Sequence, residues 1–224
     1  MNGLDAAVYA LSDSDVKIVT GVPGFPVTEL MDNLGNIKHE WSVNEKVALE
    51  LALGSSVAGQ RSAVITKHVG MNILADPLVT SPTHTIGAGV VIIAGDDAGV
   101  EKSQNEQDSR FYGLIAEVPV FDPPTPQKLY ESIREGFELS EKVSAPIIIR
   151  VTDRLLKSEV EITRKDKSTT SVTFDRKIWH LTMLGKHQRF HRESYPEMCR
   201  YAESCKLNTY KKRGDFGVIS SGFP

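Results

Sequence analysis

The sequence is poor in cysteine and in aromatic residues, and it has no long apolar run. Its two cysteines, Cys199 and Cys205, provide no disulfide framework, and their spacing fits no common zinc or redox pattern. They are expected to be free thiols in a reducing cytoplasm. No apolar stretch reaches the roughly 18 residues of a membrane span, so no membrane partner is expected. The N-terminus has no basic segment ahead of an apolar one and carries Asp5, unlike a secretory signal. An excess of one charge is also missing. Lys and Arg number 26 against 29 Asp and Glu, a net charge of −3. That excludes a globally basic nucleic-acid binder, and no aromatic stacking stripe accompanies the basic residues. Only 17 glycines and 11 prolines exclude a collagen-like or low-complexity chain. Neither a Walker loop nor a GxGxxG turn is present.

What the chain does have is 40% hydrophobic and 25% charged residues in an alternating pattern. Short β-branched runs at 16–20, 37–41, 62–67, 90–95, 118–121 and 146–151 read as strands. Helical patterns fall at about 2–13, 26–34, 43–59, 70–80, 106–116 and 126–143. Several strands are apolar throughout, which marks burial on both faces. The expected fold is α/β, a doubly wound parallel sheet with helices on both faces, over residues 1–156. Residues 157–224 read as a linker or edge hairpin, a basic helical extension and the start of a following domain. Lys186, Arg189, Arg192, Arg200, Lys206, Lys211, Lys212 and Arg213 outnumber Glu193, Glu197 and Glu203 there. Phe216–Gly222 is expected to be a first strand of that next unit.

Ligands of open α/β sheets bind at the carboxyl ends of the strands, so the loops after the strands carry the candidates. The first holds Gly21, Pro23, Gly24, Phe25 and Pro26, a rigid turn into a helix; it serves structure or an anion. The second holds Ser42-Val43-Asn44-Glu45, a capping-box pattern that would let Glu45 close a helix start. The alternative is a carboxylate at the ligand edge, buried by the apolar helix behind it and thus suited to holding a proton. The third holds His68 beside Gly70, a structural histidine or a donor. The fourth holds Gly95-Asp96-Asp97, which lacks the following Asn of a metal-diphosphate motif, and the polar run Ser103–Arg110. No metal site is expected on this chain.

Three segments in order resemble one family: Asn44–Glu50, Lys67–Asn72 with Ala75–Leu78, and Ser103–Arg110. Together they resemble the thiamine-diphosphate-dependent 2-oxoacid:ferredoxin oxidoreductases, in the segment that forms the pyrimidine-binding domain. The likeness is dense over residues 1–156 and weaker to 224. It implies oxidative decarboxylation of a 2-oxoacid of the aryl pyruvate type to an acyl-CoA, with ferredoxin as indirect acceptor. It implies Glu45 as the glutamate on the aminopyrimidine ring and His68 as a second catalytic group. Pro23, Gly24, Phe25, Glu45, Gly70, Asn72, Gln104 and Asn105 are the implied cofactor-binding residues. The family usually carries Thr where this chain has Phe25. Its Mg²⁺-diphosphate motif and cluster cysteines are not in this sequence, so a diphosphate-binding domain or subunit is the implied partner. A homodimer or hetero-oligomer is expected, with Phe25, Pro26, Val69 and Met71 exposed at the contact. The alternatives are the alpha subunit of a non-oxidative 2-oxoacid decarboxylase and a non-catalytic remnant of the fold.

Overall fold

A computed structural model describes residues 1–212 and 214–223; Arg213 of the basic stretch and Pro224 lie outside the described residues. Among the described residues six strands form one parallel sheet: β1 (Ile18–Gly21), β2 (His39–Trp41), β3 (Ser62–Lys67), β4 (Val90–Asp96), β5 (Val120–Phe121) and β6 (Ile147–Thr152). Their order across the sheet is β2-β1-β3-β4-β6-β5. The central strand β4 is buried along its whole length, whereas β2 is an exposed edge. That matches an apolar VVIIAG run against the polar His39-Glu40 pair.

Helices α1 (Gly3–Asp13), α2 (Thr28–Asp32), α3 (Glu45–Val57), α4 (His68–His84), α5 (Phe111–Ala116), α6 (Pro126–Val143) and α7 (Asp153–Lys157) connect and flank the strands. On one face α1 packs on α6, and on the other α3 packs on α4. Starts are set by polar caps. Asn2 accepts from the Asp5 N–H, and Thr125 accepts from the Lys128 N–H ahead of Pro126, whose missing N–H costs nothing at a first turn. Leu129, Tyr130, Ile133 and Phe137 of α6 are fully buried on the sheet.

Several expectations are corrected. The cap of α3 is Asn44, which accepts from the Val47 N–H, and not Ser42. Ser42 is still tied to the sheet, its N–H donating to the Gly21 carbonyl at 2.8 Å, so the helix cannot begin there. Helix α3 is buried on one face only, because Leu51 and Val57 point to solvent. The helix read at 106–116 begins at Phe111. Helix α4 runs past residue 80 to His84 despite Pro77 and Pro82. Pro26 and Met71 are buried, and Phe25 and Val69 are half-buried. Exposed apolar side chains elsewhere on the chain include Trp41, Val43, Ile73, Phe111, Leu114 and Ile115.

After Lys157 the chain runs without a hairpin among the described residues. It then forms α8 (Arg176–Trp179), α9 (Met183–Arg189), a π-helical turn at Phe190–Ser194 and α10 (Tyr195–Ser204). Lys186 and Arg189 are buried, and Arg189 Nη2 donates to the Pro82 carbonyl at 3.1 Å, satisfying one of the free carbonyls that end α4. Phe216–Gly222 is not a strand: Phe216, Val218 and Ile219 stand in solvent, and the Gly222 N–H alone among its backbone groups bonds beside β5, to the Asp122 carbonyl at 3.2 Å, among the described residues. Cys199 and Cys205 are free.

One ion pair anchors the amino edge of the sheet. Arg61, 2% exposed, forks onto Glu141 with Nε–Oε1 and Nη2–Oε2 both 2.8 Å. Burial alone would raise the Glu141 carboxyl, but the Arg61 guanidinium, together with hydrogen bonds from Thr170 and the Gly89 N–H, holds it below its ordinary value near 4.5. Its lowered folded pKa stabilises the fold fully above the ordinary range, and this is lost as pH falls through the lower folded value. Glu141→Ala strands the Arg61 charge and is expected to cost about 3–5 kcal/mol in urea unfolding at pH 7. It should also flatten the acid limb of the stability profile. A loss below about 1 kcal/mol would contradict a buried pair.

Candidate functional site

The chain reverses direction across the sheet at β1, whose loop leads left to β2 while that of β3 leads right to β4. The carboxyl ends of β1 and β3 therefore border the crevice in which such sheets take ligands. All the residues picked out in the sequence stand on this edge. Pro23, Gly24 and Phe25 are in the turn after β1, and Glu45 is the first residue of α3. His68, Gly70 and Asn72 are in the first turns of α4, and Gln104 and Asn105 lie in the loop after β4.

The structure ties these loops together. A Cβ at Gly24 would overlap Lys67 Cδ and lie 2.7 Å from Lys67 Cγ, so the Lys67 stem runs tight against this turn. Lys67 Nζ then donates to Gln104 Oε1 at 3.1 Å, joining the end of β3 to the fourth loop. Asn72 Nδ2 donates to Gln107 Oε1 at 3.1 Å, and the Tyr112 hydroxyl donates to Asn72 Oδ1. Lys102 Nζ lies 4.7 Å from the centre of the Phe25 ring.

Glu45 and His68 differ in state. Because Asn44 is the cap, the Glu45 carboxylate is left free, and among the described residues it makes no side-chain hydrogen bond. It packs on Gly70, where an added Cβ would be 2.5 Å from Glu45 Oε1 and would overlap Thr66 Oγ1. His68 is wholly buried, with Nε2 3.0 Å from the Asn105 carbonyl. A carbonyl only accepts, so Nε2 carries the hydrogen. In the neutral ring Nδ1 is an acceptor, and it is buried without a partner. Ser42 Oγ is likewise buried and unpartnered. Such groups are few in folded proteins and each calls for a cause.

Sequence reasoning missed the supports. Asp97 is buried and accepts from the N–H groups of Glu101, Lys102 and Ser103 at 2.7–2.9 Å. Burial pushes its carboxyl up, but these donors outweigh it and hold it below the usual range. Asp96 accepts from the Ser109 N–H and hydroxyl and from Arg150 Nε at 2.6 Å; Arg150 also reaches Asp122 at 3.0 Å. The Asp-Asp pair thus shapes the fourth loop. Its signal in the sequence was two acids ending an apolar strand.

Compared with known proteins, the chain is 32% identical to the "Indolepyruvate oxidoreductase subunit IorA" of Methanothermobacter marburgensis over 235 residues. That match covers 98% of this chain and 38% of the relative. The chain is homologous to the IorA subunits. The subunit of Thermococcus kodakarensis is 38% identical over 158 residues, covering 68% of this chain and 24% of that protein. The chain thus spans under two fifths of the length of these IorA relatives. The alpha subunit of sulfopyruvate decarboxylase from Methanococcus maripaludis is 23% identical over 66% of this chain and 93% of its own length. No family model matches. Among solved structures, a 2-oxoglutarate:ferredoxin oxidoreductase from Magnetococcus marinus superposes with a TM-score of 0.61 at 18% identity. It covers 70% of this chain and 30% of its own, and so shares the α/β fold.

Proposed function

We propose that this IorA-like chain supplies the aminopyrimidine half of a thiamine-diphosphate site in a 2-oxoacid oxidoreductase. The reaction is oxidative decarboxylation of an aryl pyruvate to an acyl-CoA, with ferredoxin as the eventual acceptor. The observation that carries the reading is the Glu45 carboxylate: free of hydrogen bonds, at the carboxyl edge of the sheet, and seated on a glycine. The unpartnered Ser42 Oγ and His68 Nδ1 support the reading, as polar atoms at the carboxyl edge with hydrogen-bonding capacity to spare. When bound, thiamine diphosphate supplies the carbon nucleophile and electron sink for carboxyl loss. Glu45 holds and returns the proton at the pyrimidine ring nitrogen. His68, fixed through Asn105, offers its Nδ1 as an acceptor. Pro23, Gly24 and Phe25 wall the site on the side of β1, with Gln104 on the loop after β4 and Gly70 and Asn72 at the start of α4.

The diphosphate and its Mg²⁺ fall to a partner domain or subunit, and the exposed Ile73, Phe111, Leu114 and Ile115 offer it an apolar face. Thiamine diphosphate with Mg²⁺ is therefore expected to bind weakly to this chain alone and tightly once the diphosphate-binding partner is added. Calorimetric titration of both checks it. Micromolar binding by the isolated chain would contradict the division of labour, and no binding by the complex would contradict the reading.

A further inference from the structure

We propose that Lys67 is the specificity-determining cation that holds the substrate carboxylate. The inference rests on the reading of function above and assigns a charge that reading leaves without a partner. Lys67 is the last residue of β3, at the point where the sheet reverses direction. Its stem runs past Gly24, where any Cβ would overlap it. Its ammonium is held by the neutral Gln104 amide and, among the described residues, pairs with no carboxylate. A half-exposed cation that is positioned but not neutralised is ready for an anion.

The neighbouring charge agrees. Lys102 is also without a carboxylate partner among the described residues, and it stands over the Phe25 ring in the same turn. Its loop is fixed by the three backbone bonds to Asp97. Two unpaired cations thus border the Gly24–Phe25 turn in a chain whose net charge is −3. In the proposed reaction the diphosphate is held by the partner, so the anion left for this turn is the carboxylate of the 2-oxoacid. An ammonium on a flexible stem suits it, as a point charge that follows the carboxylate without demanding a two-pronged fit. Phe25 sits beside it as an apolar wall.

The test uses the chain complexed with its diphosphate-binding partner, with phenylpyruvate as the acid and phenylacetaldehyde as its analogue without the carboxylate. Lys67→Met is expected to raise the KM for phenylpyruvate about 10- to 150-fold, the range for a hydrogen bond to a charged group. Inhibition by phenylacetaldehyde and affinity for thiamine diphosphate should stay as in the wild type. Lys67→Arg should recover most of the loss, and the wild-type KM should rise with salt while that of Lys67→Met does not. Should Lys67→Met not fold, Lys67→Gln carries the same comparison. The inference is overturned if aldehyde and acid weaken together, which marks a structural role. It is also overturned if cofactor affinity falls, which gives the cation to the diphosphate, or if the KM is unchanged. A wild-type complex that binds no thiamine diphosphate defeats the functional reading instead; with cofactor bound, only Lys67 is on trial.

Discussion

Glu45→Gln in the complete complex is expected to lower kcat for the 2-oxoacid by about 10²- to 10⁴-fold, the usual worth of a positioned proton-transfer group. The fold should be unaffected. Asn44, not Glu45, caps α3, and the Glu45 carboxylate stabilises nothing through a hydrogen bond among the described residues. Glutamine keeps the shape and the contact with Gly70 but cannot hold the proton. Glu45→Asp keeps the charge and withdraws it by one methylene, so its rate should fall between the two. Steady-state kinetics with melting curves of all three proteins check this. Equal rates for wild type and Glu45→Gln would leave the carboxylate without a role.

Gly70→Ala is expected to damage both stability and activity. The new methyl would overlap Thr66 Oγ1 and come within 2.5 Å of Glu45 Oε1 and 2.7 Å of its Cγ. Thr66 is buried in β3 and cannot retreat, so overpacking should cost about 1–3 kcal/mol. The Glu45 side chain can retreat, and does so by leaving its place at the edge. Thr66→Ala together with Gly70→Ala should therefore return much of the stability but little of the rate. Urea unfolding and turnover measured on the same samples separate the two. Recovery of both together would mean that Gly70 serves packing alone.

The fold was legible where burial is two-sided. Runs such as Val90–Ala94 and Ile147–Ile149 have only one arrangement in which they are all inside, between two helix layers. The carboxyl edge followed from the same pattern, and with it the loops that hold Glu45, His68 and Gln104. The local starts were less legible. Ser42 and Asn44 are both good caps, and the choice is made by the Ser42 N–H bond to Gly21, which lies on a neighbouring strand. Phe216–Gly222 has the composition of a strand, but a strand needs an edge to pair with, and composition does not supply one. The end of α4 depends on Arg189, more than 100 residues away, just as Arg61 depends on Glu141. Lys67 stood in plain view beside His68; that it has no counter-charge among the described residues, as Lys102 has none, only three dimensions reveal.

The central claim is that the free Glu45 carboxylate activates bound thiamine diphosphate. It is tested most directly by the exchange of the cofactor C2 proton with deuterium, followed by NMR after quenching, in the complex and with no substrate present. The wild type is expected to exchange fast, Glu45→Gln slower by orders of magnitude, and Lys67→Met at the wild-type rate. Wild-type exchange in Glu45→Gln would contradict the account.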